Sequence, residues 1–295
     1  MNIRRFCQVA VFEWFDAIRS RRAIVILVLY LAAALLGMNG AITVLGKIEA
    51  QLVEVLQLPA DSSRGVVSTT LWKSKRFQRF IRSAAGDSLV YDDLCGRHPA
   101  ELLSAWFAFL FVPLLTVLVA GGRAADDLHS GSVRYMITRV TRLEWSLGKY
   151  AGMAVLLAGS LLAGAFGAWA VALVRLPGSE TAALLPAMLG WSAKAWCLSL
   201  AWLGLALGIS HLVRSSSKAT AFGICAVILW SSAPVLIGRF APSWSCMARL
   251  FPGGVDDALW RTAFPPVAAA AVWLLALGLL YLSAGAAVFA RRDAR

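Results

Sequence analysis

Six apolar stretches, each long enough to cross a hydrocarbon core of roughly 30 Å at about 1.5 Å per residue, constrain this chain more than any other feature. They fall at 23–45, 100–122, 150–174, 181–210, 219–237 and 267–290. What lies between them is too fragmented for a large soluble domain. Composition points the same way: 59% of the residues are hydrophobic and 15% charged, against about 45–50% and about 25% in soluble proteins. A water-soluble enzyme is therefore a poor reading. The expected fold is an all-α polytopic membrane protein with six transmembrane helices, an amphipathic elbow helix at 1–22, a helical outer loop at 46–99 and short outer gate helices within 238–266.

The net charge of +12 invites a nucleic-acid reading, but its distribution opposes one. An even number of spans puts both chain ends on one side. That side carries Arg4, Arg5, Arg19, Arg21 and Arg22, then Arg123, Arg134, Arg139, Arg142 and Lys149 in the loop 123–149. Arg214 and Lys218 follow, with Arg291, Arg292 and Arg295 in the tail 291–295. The short loops opposite hold only Arg175, Arg239, Arg249 and Arg261, and the long loop 46–99 counts weakly in orientation. Both termini are thus expected in the cytoplasm. The basic excess reflects the positive-inside rule and attraction to anionic lipid, which makes the bilayer the expected partner and nucleic acid not. No cleavable signal is visible, because the mixed segment before the first span and that span's length do not suit one.

Within 1–22, Ile3, Phe6, Cys7, Ala10, Trp14, Ala17 and Ile18 recur at three- and four-residue spacing, the pattern of a helix lying in the headgroup plane. In the outer loop, residues 48–58 read as a helix stopped by Pro59. A basic segment follows, with Lys73, Lys75, Arg76, Arg79 and Arg82 among Trp72, Phe77, Phe80 and Ile81. It suits a solvated or headgroup-binding helix, or the docking of an extracytoplasmic protein. Prolines 242, 252, 265 and 266 and Gly253-Gly254 break the loop 238–266, while Trp244, Phe251 and Trp260 keep it apolar. Asp256-Asp257 can open a short helix there. Such a loop suits an outer gate, with those three aromatics as candidates, or a plain interfacial cap. The five cysteines form no CxxC pair; Cys95 and Cys246 both fall on the outer, oxidising side, where they can pair.

Chemistry is scarce. His98, His129 and His211 are far apart in sequence, with no HExxH and no metal-ligand spacing. No GxSxG occurs, and Gly148-Lys149 lacks the glycine of a phosphate-binding loop. No catalytic, cofactor or metal residue is therefore assigned, and no energy source is visible. The one charge deep in a span is Lys194, flanked by Trp191 and Trp196, which either lines a pathway or pairs with carbonyls or a carboxylate of another span.

The loop 123–149 is the informative segment. The second span runs into Asp126-Asp127, Gly131 breaks it, and Ser132 can cap a short helix bearing Val133, Met136 and Ile137. Arg139 and Arg142 flank the re-entry, where Lys149 can snorkel. A short apolar-knobbed helix with a basic rim suits another protein's groove.

At these residues the chain resembles the ABC-2 type permeases, the membrane subunits of exporter-like ATP-binding-cassette transporters. That family's loop shows an acidic residue, Gly-Thr, a hydrophobic turn, Pro-x-Ser/Thr-Arg and Gly-Lys. Asp126 or Asp127, Gly131-Ser132, Met136-Ile137, Val140-Thr141-Arg142 and Gly148-Lys149 stand in those places, with serine for threonine and Val140 for the proline. The stretch Glu13 to Arg22 and the large first outer loop match the layout too. The resemblance implies a permease in the bacterial cytoplasmic (inner) membrane, driven by a separate cytoplasmic ABC ATPase that binds the ATP and Mg, and paired with a second copy or a related permease. It implies ATPase coupling through Asp126, Asp127, Gly131, Ser132, Arg134, Met136, Ile137, Arg139, Arg142 and Lys149. The same architecture also fits an ATP-driven mechanical transmitter or assembly factor acting on an extracytoplasmic partner through the loop 46–99.

Overall fold

The computed structural model describes residues 2–56, 92–94, 97–176 and 180–292. The chain is an all-α polytopic membrane protein. Its helices are α1 (Ile3–Arg19), α2 (Arg21–Leu56), α3 (Pro99–Ala120), α4 (Arg123–Ser130), α5 (Ser132–Ile137), α6 (Arg142–Arg175), α7 (Glu180–Leu212), α8 (Ser216–Phe240), α9 (Ser245–Ala248), α10 (Asp256–Trp260) and α11 (Phe264–Arg292). Among the described residues six segments are long and apolar enough to cross a membrane: Arg21–Val44, Pro99–Ser130, Arg142–Arg175, Thr181–Leu212, Ser216–Phe240 and Phe264–Arg291.

Local chemistry sets several boundaries. His98 accepts from the amide of Ala100 at 3.2 Å, with Pro99 as the first helical residue, so α3 begins on a cap and a residue that needs no amide partner. Thr141 and Glu144 form a reciprocal box at the start of α6, with bonds of 3.3 and 3.0 Å. Gly131, at φ 75°, ends α4 in the left-handed conformation that glycine adopts without a Cβ penalty. The helix expected at 48–58 is not separate: α2 runs unbroken to Leu56, because only Gly46 and Lys47 stand between the first span and that segment and no proline intervenes before Pro59.

α7 is the axis of the bundle. In its apolar window 78% is buried, against 11% for α2 and α8, so the other helices surround it and their outer faces meet the surroundings. Glycines let α11 lie directly against it. A Cβ on Gly204 would sit 1.9 Å from the carbonyl oxygen of Gly278, and one on Gly285 would sit 2.4 Å from that of Gly208. Gly204 and Gly208 thus pack within the chain, against the last span.

Candidate functional site

Both chain ends lie at one end of the bundle. The amide of Asn2 donates to Glu144 at 2.5 Å, and Arg142 donates to the carbonyl of Ala290 at 3.3 Å while sitting 5.2 Å over the ring of Phe289. This terminal end holds almost every residue of the predicted coupling loop.

α1 is the first layer of the site. Val9, Glu13 and Ala17, at four-residue spacing, form its buried face. They lie on α6, where Gly148 and Gly152 make room: a Cβ on Gly148 would be 2.5 Å from Val9, and one on Gly152 would be 2.6 Å from the carbonyl of Ala10. The exposed face carries Ile3, Phe12, Phe15 and Ile18, an apolar surface suited to lipid.

Lys149 joins three elements. Its Nζ contacts the carboxylate of Glu13 on α1 and that of Asp127 on α4, the latter at 2.6 Å, and lies 5.2 Å from the Trp145 ring. Only 2% of the side chain is exposed, so Lys149 does not snorkel as expected. Two carboxylates supply inside the protein what water and headgroups would supply outside. Burial pushes the Glu13 carboxyl above the usual range, against the pull of Lys149. Asp127 is the acid that meets Lys149, whereas Asp126 is exposed. Arg123 pairs with Asp16 at 2.6 Å, and the amide of Ala125 donates to Ser210 at 3.0 Å. Beneath them Ser146 and His211 share a buried hydrogen bond of 3.1 Å.

α5 rides on this base. Val133 is buried in a cluster with Val9, Ala124, Trp145 and Phe289, and Leu128, Met136 and Val140 pack against it. Tyr135, two residues on and so roughly 200° around the helix, is 81% exposed. Arg139 is exposed as well. Ser132 opens α5 as its first residue and not as its cap, a place taken by Gly131; its hydroxyl instead donates to the carbonyl of Asp127 at 3.4 Å. Arg142 does not belong to an open basic rim, since its contacts are with the end of α11. Arg134 and Ile137 belong to α5 by their backbone, and their side chains lie outside the described residues.

Sequence reasoning passed over Glu13 and Tyr135. Glu13 carried a signal, an acid at four-residue spacing between Val9 and Ala17. Tyr135 carried none beyond its place in a short helix.

A family model described as ABC-2 family transporter protein matches residues 7–243. The chain belongs to the ABC-2 transporter family. It is a membrane permease component of an ABC transporter, and the match takes in α1 from Cys7 onward together with Glu13, Asp127 and Lys149. No curated protein matches the chain.

The opposite end of this ABC-2 chain is closed by the segment between α8 and α11. Lys194 donates to the carbonyl of Arg261 at 2.8 Å and lies 3.9 Å from the centre of the Trp191 ring. Trp191 donates to Glu101 at 2.8 Å, and Trp260 packs on Trp191 and Phe109, with centroids 5.2 and 4.9 Å apart. Asp93 accepts two bonds from Thr262, which hold its carboxyl below the usual range. The three predicted gate aromatics do not converge. Trp260 joins this cluster, Phe251 lies 5.9 Å from Trp230, and Trp244 is 60% exposed. Asp256 and Asp257 occupy the first turn of α10 without a side-chain cap. One oxygen of Asp256 is buried with no hydrogen-bond partner, and burial, with Asp257 adding, pushes its carboxyl up to about 7. Cys246 is exposed; its predicted partner Cys95, and the basic segment 72–82, lie outside the described residues. Among the described residues no group of His, Cys, Asp and Glu is placed to hold a metal ion.

Proposed function

We propose that this permease is driven by a separate cytoplasmic ATPase subunit that docks on α4 and α5, with ATP and Mg held by that partner, and that it exports or extrudes a substrate together with a second copy or a related permease. Both termini and the Lys149 site then face the cytoplasm, in a bacterial inner membrane. One observation carries the docking reading: α5 presents Tyr135 outward while its other side, at Val133, is sunk into the cluster beneath. An exposed aromatic on a firmly seated short helix suits a pocket on a partner. Asp126, Gly131, Ser132, Met136 and Arg139 belong to the same stretch of chain, as Arg134 and Ile137 do by their backbone. Movement of the partner would pass through Asp127 and Lys149 to α1 and α6, because those elements share one buried ion cluster. Such transmission requires the partner to contact α5 differently in its two states.

The test is co-purification of the ATPase with the tagged permease from membranes. Tyr135→Ala, and separately Arg139→Glu, should reduce recovery of the partner at normal insertion. Arg142→Glu is a poor probe, because it also frees the end of α11. Recovery at the wild-type level with both variants would overturn the assignment.

A further inference from the structure

At the junction of α1 and α2 Ser20 breaks the helix in an extended conformation, and a cavity of about 50 Å³ opens there. Ser20, Arg22, Gly122, Arg123 and Asp126 line it. Arg123 is neutralised by Asp16. Arg22 is not: its guanidinium donates to two neutral hydroxyls, of Ser216 at 3.0 Å and Thr220 at 2.8 Å, and among the described residues no carboxylate lies within ion-pair distance of it. These two bonds fix the guanidinium on α8, and Gly122 leaves the room it needs, since a Cβ there would sit 3.1 Å from Nη1 of Arg22 and 2.0 Å from the Ser216 hydroxyl. The lining holds two arginines and one acid, Asp126, and Arg19 and Arg21, close to Arg22 in the sequence, are exposed.

We infer that this crook binds the phosphodiester of an anionic phospholipid, with Arg22 as its principal contact. The guanidinium is a rigid fork of donors matched to phosphate oxygens, and it is held in place before any ligand arrives. The position selects a lipid over a free anion. α1 turns Phe15 and Ile18 outward just before the crook, and α2 turns Ile24, Val25 and Val28 outward just after it. A phosphate at Arg22 would therefore have apolar surface on the spanning side to receive its acyl chains. The inference is independent of where the ATPase docks.

The test is native mass spectrometry of the detergent-purified permease titrated with phosphatidylglycerol or phosphatidylcholine. One phosphatidylglycerol should be retained in preference to phosphatidylcholine. Arg22→Gln should weaken that retention about fivefold, the usual effect of one basic residue at a membrane surface. Ser216→Ala with Thr220→Ala, which keeps the charge but releases the guanidinium, should weaken retention less than Arg22→Gln does. Equal retention of the two lipids, or an unchanged Arg22→Gln, would overturn the site. Displacement of phosphatidylglycerol by millimolar inorganic phosphate would show a free-anion site and overturn the lipid assignment. If Arg22→Gln does not fold, a photoactivatable phosphatidylglycerol on the wild-type protein decides: labelling at residues 20–23 supports the site, and labelling only elsewhere refutes it.

Discussion

Lys149 of α6 and Glu13 of α1 form an ion pair whose side chains are only 2% and 3% exposed, and Asp127 of α4 closes on the same ammonium. One cation thereby fixes the amphipathic helix and the loop after the second span to the start of the third. Lys149→Met strands the buried carboxylate of Glu13 beside the half-buried one of Asp127, and removing one member of a buried ion pair costs about 3–5 kcal/mol. Glu13→Gln should cost less, because Asp127 still neutralises the lysine. Thermal unfolding in detergent checks the order; a Lys149→Met variant as stable as the wild type would refute the role.

Much of this arrangement is legible in the sequence, for reasons that differ residue by residue. The six spans are visible because hydrocarbon thickness sets a length that composition records directly. Gly204 and Gly208 could be read as close-approach positions, yet their partners Gly278 and Gly285 lie some seventy residues on, and pairing across that distance leaves no local pattern. Lys149 misleads for the same reason. Read alone it is an interfacial lysine, and only the fold shows that Glu13 and Asp127, from two other helices, replace its water. The loop 238–266 shows its breaks through proline and glycine, whereas which aromatic points inward depends on how α10 sits against α3 and α7.

The close approach of α7 and α11 predicts intolerance to any side chain at its centre. A methyl group at Gly204 would meet backbone, the carbonyl of Gly278, and not the end of a flexible side chain. Gly204→Ala should destabilise the bundle by about 1–3 kcal/mol, the usual cost of overpacking, and Gly204→Val by more. Gly40→Ala, where nothing lies within 4 Å, is the control. Size-exclusion profiles and thermal stability of the three variants give the answer, and a Gly204→Val protein that behaves like the control would contradict this packing.

Asp256 should make the far end of the bundle sensitive to pH. Its carboxyl is raised from an ordinary 3.8 to about 7, by burial first and by Asp257 second. Between those values the folded loop keeps a proton that the unfolded chain has lost, so this group favours the folded loop at low pH. That advantage shrinks as pH rises from about 4 and is gone above about 7. Hydrogen exchange over 249–261, corrected for intrinsic rates, should show better protection at pH 5 than at pH 8. Asp256→Asn should flatten the difference, and a wild-type profile equally steep in that variant would assign the effect to another group.

Lys194 joins the fourth span to the far-end loop through a charge-assisted bond to the carbonyl of Arg261 and through its position over Trp191. A pathway lysine would need its ammonium free for cargo, whereas here one donor is committed to a backbone oxygen and the aromatic face takes up part of the charge. This geometry suits a lysine that holds the segment after α10 against α7. Hydrogen bonds to charged groups contribute about 1.5–3 kcal/mol, so Lys194→Met should speed exchange in residues 258–262 by about tenfold or more while the spans keep their protection. Lys194→Arg, which keeps a charged donor, should restore part of it. Unchanged exchange in the methionine variant would remove the holding role and return Lys194 to the pathway reading.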